Sequence, residues 1–80
     1  MEITIKYFGI IADIIQKKEE VFFVEEKSIT VKKLQSKLEV KYAKILVISY
    51  LIAVNKKFLQ NDIELKNNDI VALLPPFAGG

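Results

Sequence analysis

The sequence contains no cysteine, no histidine and no tryptophan, and all twelve of its basic residues are lysines. Without cysteine there is no disulfide, no thiolate nucleophile and no thiolate metal site. Without histidine the commonest general base and the commonest transition-metal ligand are both missing. Ser-His-Asp and Cys-His catalysis are thereby excluded. The lack of arginine, with a formal net charge of only +2, argues against a nucleic-acid reader, which uses a strong basic excess and bidentate guanidinium contacts. No stretch approaches the ~18 apolar residues of a membrane helix, and no charged segment followed by a long apolar run opens the chain. A cytoplasmic protein away from membranes is the expectation. Glycine and proline are scarce, at 3 and 2 residues, and all but Gly9 fall at the very end of the sequence.

What is present is 80 residues, 51% hydrophobic and 28% charged, enough for one core and no second module. Met1, Ile3, Ile5 and Tyr7 alternate with Glu2, Thr4 and Lys6, the period of a half-buried strand. Phe8 sets an aromatic on the polar face and Gly9 ends the strand. Ile10, Ile11, Ile14 and Ile15 then recur at helical spacing, predicting a short helix. Val21 to Val24 predicts a second strand paired with the first, followed by the polar turn Glu25-Glu26-Lys27-Ser28. Thr30 is placed to cap the main helix, although Lys33 stands where a capping-box glutamate would be. Val31, Leu34, Leu38 and Tyr42 form that helix's apolar stripe, with a solvated, lysine-rich side opposite. Leu51 to Val54 reads as a buried strand, Phe58-Leu59 as a short returning edge strand, and Asn67-Asn68-Asp69 as a tight turn. Ile70 to Leu74, apolar on both faces, predicts an interior strand with a parallel neighbour. The order describes an α+β, β-grasp (ubiquitin-like) roll: a mixed sheet of four to five strands, a main helix across one face and a short extra helix after the first strand. Asp13, Glu39, Asp62 and Glu64 have no spacing that separates them from surface charges.

The chemistry is expected at the end, where residues 1–74 form the domain and 75–80 the tail Pro75-Pro76-Phe77-Ala78-Gly79-Gly80. Two prolines cannot continue a ladder and favour a stiff, extended exit. Two glycines carry no side chain, so the backbone can enter a channel where any Cβ would clash. At ~3.3 Å per extended residue the tail carries its carboxylate up to ~20 Å from the domain. A frayed terminus is the plain alternative. Against it stand a tail without charge or polar side chain and its direct departure from a core strand. Phe77, beyond the prolines, reads as a docking residue. Phe8, Val71 and Leu73 are candidates for an exposed docking patch, because one face of such a sheet points away from the helix.

The run Asn68-Asp69-Ile70-Val71-Ala72-Leu73-Leu74 followed by Pro-Pro-x-x-Gly-Gly resembles the end of the small, sulfur-carrying subunit of molybdopterin synthase (MoaD-type). Tyr7-Phe8-Gly9, Thr30-Val31 with Leu34, and Ala53-Val54-Asn55 also match, so the resemblance spans essentially all of the chain. Asn68 replaces the usual turn glycine, and Ala12 stands where many relatives carry a basic residue. The resemblance implies a sulfur carrier for molybdenum-cofactor synthesis. An E1-like (MoeB-type) enzyme consumes ATP to adenylate the Gly80 carboxylate, and persulfide-derived sulfur then displaces AMP to leave a thiocarboxylate. Pro75, Pro76, Phe77, Ala78 and Gly79 thread into the large (MoaE-type) synthase subunit within a heterotetramer, where the sulfur builds the dithiolene on a pyranopterin precursor. No cofactor or metal is expected on this chain, and catalysis belongs to the large subunit. The alternatives are a ThiS-type carrier for thiamin thiazole synthesis, whose relatives are usually shorter and lack the first helix and Pro-Pro, and a ubiquitin-like protein modifier.

Overall fold

In the computed structural model, which describes residues 1–76, the chain begins with strand β1 (Glu2–Tyr7), whose Ile3, Ile5 and Tyr7 point into the core. Helix α1 (Gly9–Ile15) follows and buries Ile11 and Ile15. Strand β2 (Glu19–Phe23) runs antiparallel to β1, with Ile3 opposite Phe22 and Ile5 opposite Glu20. It starts two residues before the expected Val21, and Val24 is buried just beyond its end.

A two-residue strand β3 (Ile29–Thr30) leads directly into helix α2 (Val31–Lys41), which buries Val31, Leu34 and Leu38. A helix start leaves its first backbone N–H groups without intrahelical partners. Here Thr30 Oγ1 accepts from Lys33 N at 3.2 Å, as the sequence led one to expect. Two further N–H groups of the first turn are satisfied from a segment distant in sequence. Asp62 Oδ1 accepts from Lys32 N at 3.0 Å and the Ile63 carbonyl accepts from Val31 N at 3.0 Å. This contact also seats strand β6 (Glu64–Leu65) antiparallel to β3 as a small second sheet. A 3₁₀ turn over Ala43–Val47, with Ile45 fully buried, connects α2 to strand β4 (Leu51–Val54). Neither the turn nor the small sheet was apparent in the sequence.

Strand β5 (Lys57–Phe58) pairs back on β4, and strand β7 (Ile70–Leu74) lies parallel to β1 on one side and antiparallel to β4 on the other. The main sheet therefore has five strands in the order β2-β1-β7-β4-β5. The hairpin between β4 and β5 turns on Asn55 (φ 50°) and Lys56 (φ 71°), both left-handed, as a tight two-residue turn demands. Asn68, at φ 71°, performs the role a glycine has at the entry to β7. Asparagine tolerates this region because its short polar side chain finds local partners. Side chains lock the two turns together. Asn55 donates to Asp69 Oδ1 and accepts from Ile70 N, each at 3.0 Å. Helices on one face of a mixed five-stranded sheet, with the last strand beside the first, make this a β-grasp, ubiquitin-like fold.

Candidate functional site

The end of β7 is held from two directions before the prolines begin. Its neighbours β1 and β4 pair with it through Leu73 and Leu74, respectively. Beyond β1 the parallel ladder gains one more bond, from Phe8 N to the Leu73 carbonyl at 3.1 Å. The chain then crosses Gly9. This residue has φ +57°, and a Cβ placed there would sit 2.8 Å from Pro75 Cγ. Two independent constraints thus demand glycine: left-handed backbone and a proline ring lying against the α-carbon. Pro75 is half-buried by this contact and Pro76 is exposed. Phe77, Ala78, Gly79 and Gly80, the residues expected to carry the tail chemistry, lie outside the described residues.

The docking patch expected from Phe8, Val71 and Leu73 requires correction. Val71 is 1% exposed and Leu73 0%, so both are core residues. Side chains alternate between faces along a strand, and the pairings Ile5–Val71 and Tyr7–Leu73 put them on the helix side with the rest of the core. The opposite parity faces outward: Ile70, Ala72 and Leu74. Phe8, 43% exposed, lies at the end of β1 against this outer face. Register places Leu51 opposite Leu74 and Phe58 opposite Ala53, extending the apolar surface towards β5. A shallow groove runs across it, lined by Phe8, Ile70, Ala72 and Asn55 and flanked by Lys6 and Lys56. The outer face thus sets the exposed Phe8, Ile70, Leu51 and Phe58 on one side of the sheet.

On the helix side, one polar cluster went unnoticed in the sequence. Glu20 points inward from β2 and its Oε2 accepts from Tyr7 Oη at 2.6 Å and from Tyr42 Oη at 2.5 Å. Its Oε1 accepts from Lys41 Nζ at 3.0 Å and, more weakly, from Lys17 Nζ at 3.4 Å. Burial by itself raises the carboxyl's pKa, but the bonds from Tyr42, Tyr7 and Lys41 outweigh it together and hold the group down at about 2. Tyr7 is pushed well above the usual phenol range by burial and by the carboxylate it faces. The cluster joins β1, β2, the end of α1 and the end of α2, and its geometry is that of a structural tie. Two phenols and two ammonium groups converge on the one carboxylate, and Lys17 Nζ also donates to Tyr42 Oη at 3.3 Å. Among the described residues no group of carboxylates could hold a metal ion, and no helix is long and apolar enough to cross a membrane.

These features define a ubiquitin-like domain, a folded head with apolar side chains on its outer sheet face and a central strand that ends just before Pro75. The ThiS family model matches residues 5–80, and the chain belongs to that family. Among solved structures, it is similar to a putative molybdopterin converting factor subunit 1 from Pyrococcus furiosus (TM-score 0.86, 24% identity, covering 96% of this chain and 99% of that one). It is also similar to a chain in the protein–protein complex of subunits 1 and 2 of molybdopterin-converting factor from Helicobacter pylori (TM-score 0.69, 26% identity, all of both chains). SAMP1 from Haloferax volcanii shares the fold at TM-score 0.82 and 18% identity over the full length of both chains.

Proposed function

We propose that the chain is the sulfur carrier of molybdenum-cofactor synthesis and the small subunit of a molybdopterin synthase. The observation that carries this reading is the end of β7: a central strand beside the apolar outer face that finishes where Pro75 packs against Gly9, directly before Pro76-Phe77-Ala78-Gly79-Gly80 in the sequence. The similarity to the Helicobacter pylori complex supports a large-subunit partner. In this mechanism an E1-like enzyme joins the Gly80 carboxylate to the AMP part of ATP, releasing pyrophosphate. The outer sulfur of a persulfide attacks the acyl carbon and AMP leaves, and a thiol then reduces the acyl disulfide, being itself oxidised to a disulfide, to give the thiocarboxylate. The large subunit receives the tail, sulfur passes to a pyranopterin precursor, and the carboxylate is restored by water. The head contributes docking and reach, and no cofactor of its own. Activating enzyme and large subunit use the outer face in turn, in the cytoplasm.

The test is the mass of the protein purified from its source. A thiocarboxylate adds ~16 Da through exchange of oxygen for sulfur at the activated acyl group. Isopeptide adducts on other proteins would instead assign the chain as a modifier. Variants lacking Gly80, or carrying one residue after it, should stay folded and lose the ~16 Da species; thiolation of the extended form would refute the mechanism.

A further inference from the structure

Strand β2 is an outer strand of the main sheet, with β1 on one side and, among the described residues, no strand on the other. In an antiparallel pair, residues alternate between bonding to the neighbour and turning their backbone groups away from it. Val24 N donates to Met1 O, the Met1 ammonium donates to Val24 O, and Tyr7 N donates to Lys18 O. The register then sets Glu20 and Phe22 in the rungs bonded to β1 and turns the N–H and C=O groups of Glu19, Val21 and Phe23 off the sheet. The side chains of these three lie on the outer face, where Val21 is 50% and Phe23 75% exposed. Unspent main-chain bonds and exposed apolar side chains coincide at the same positions.

Charges on an edge commonly guard it against pairing, but what they exclude depends on their order. At the start of β2, Lys17 and Lys18 precede Glu19, and Lys6 stands across from Glu19 on β1, so this end is basic. At the other end Glu25 and Glu26 follow the strand and Glu2 stands across from Phe23. Lys27, and Lys37 at 3.5 Å from Glu26, offset these carboxylates only in part, so this end is acidic. Glu20 turns inward and accepts from Lys41 and Lys17. An edge that is basic at its start and acidic at its end is complementary to its own antiparallel copy. A parallel copy would set like ends together, which destabilises a sheet pair.

A two-fold axis normal to the sheet keeps outer face beside outer face and pairs positions of the same parity. With that axis at Val21, Val21 meets Val21 of the second copy and Glu19 meets its Phe23, so every outward-bonding residue of the strand finds a partner within the strand. Shifting the axis to Phe22 or to Glu20 leaves Glu19 opposite Glu25 or Phe23 opposite Lys17, both beyond the strand. The register at Val21 also brings Lys17 opposite Glu25 twice, and lets each Phe23 reach diagonally to the other copy's Val21.

We propose that two copies of this chain pair antiparallel along their β2 edges about Val21, joining two five-stranded sheets into one of ten strands. Main-chain bonds at Glu19, Val21 and Phe23 supply the contact, and the opposite charge of the two ends supplies direction and partner choice. Phe8 and Ile70, on the far side of β1 from this edge, stay uncovered in both copies, so the pairing does not compete for the groove they line.

The test is sedimentation equilibrium of the full chain with amide hydrogen exchange read by NMR, from about 20 μM to about 2 mM. A monomer–dimer equilibrium with a dissociation constant below about 1 mM is expected, an edge of this length being a small interface. The amides of Glu19, Val21 and Phe23 should exchange more slowly in the concentrated sample, whereas those of Glu20 and Phe22 should be protected in both. Glu25→Lys with Glu26→Lys, at exposed positions, makes both ends basic and should weaken association at least about tenfold; adding Lys18→Glu should recover part of the loss. Val21→Pro removes an N–H that points off the sheet and spares the rungs to β1, so it should abolish the dimer with an unchanged far-ultraviolet spectrum. A monomer at about 2 mM, a dimer whose shifts centre on Phe8 and Ile70, edge amides that exchange alike at both concentrations, or a charge reversal that leaves association unchanged would overturn the proposal.

Discussion

Replacing Glu20 by glutamine tests how much stability rests on one carboxylate. The wild-type group, only 11% exposed, titrates at about 2 against an ordinary value of 4.5. At 1.36 kcal/mol per unit this depression corresponds to roughly 3 kcal/mol in favour of the ionised, folded form, a large share of the 5–15 kcal/mol that holds a typical domain together. Glutamine keeps an oxygen for Tyr7 and Tyr42 but turns an amide towards Lys41 and Lys17, so the charge-assisted bonds are lost. The sign follows from linkage. A carboxyl whose pKa is lower when folded stabilises above the unfolded value of about 4.5 and ceases to do so as the pH falls through about 2. Urea unfolding of wild type and Glu20→Gln should therefore differ by about 2–3 kcal/mol at pH 7, and the difference should shrink steadily between pH 4.5 and 2. A gap that is the same at pH 7 and pH 2.5 would show that the loss is one of packing and that the charge reasoning is wrong.

Gly9→Ala should cost about 1–2 kcal/mol from the left-handed backbone alone, and its Cβ displaces Pro75; Tm should fall by roughly 5–15 °C with the fold kept at about 25 °C, while thiocarboxylate formation, read by mass, falls severely. Leu73→Ala and Ile70→Lys separate the two faces of β7. The first should lower stability by about 2–5 kcal/mol in a denaturant titration, whereas the second should keep its melting temperature and weaken association with the synthase large subunit; the reverse pattern would contradict the assigned parity. On the alkaline side, Tyr50 is pushed up to about 12 by burial and by Glu39, which accepts its proton at 2.6 Å. Its contribution is complete below about pH 10 and lost as the pH rises through 12, so Tyr50→Phe should flatten the fall in stability across that interval.

Local chemistry made the elements legible. Alternation in residues 1–7, the helical spacing after Gly9 and the hydroxyl of Thr30 each report on their own neighbourhood, and each element stands where its pattern indicated. The faces of β7 were harder. Ile70 to Leu74 is apolar at every position, so period two carries no sign, and only pairing with Ile5 and Tyr7 reveals that Val71 and Leu73 face inward. For the same reason the nearly unbroken apolar run from Ile45 hid the 3₁₀ turn. Glu20 and Asp62 were illegible for another cause. Their partners lie on other elements: Tyr7, Tyr42, Lys41 and Lys17 for the first, the backbone of Lys32 for the second. Each side chain alone looks like any surface carboxylate until the fold assembles its neighbours.

The parallel pairing of β1 with β7 has a mechanical consequence. The chain enters the sheet at the start of β1 and leaves it at the end of β7, so its two ends depart from opposite edges of the same ladder. A force drawing the tail away from an anchored N-terminus loads that ladder lengthwise. The rungs from Thr4 to Phe8 must then yield together, because none can be peeled before the next. A machine that pulls on the tail would meet its greatest resistance at the first step, while one that grips β5, a two-residue strand at the far margin, could unzip the sheet rung by rung.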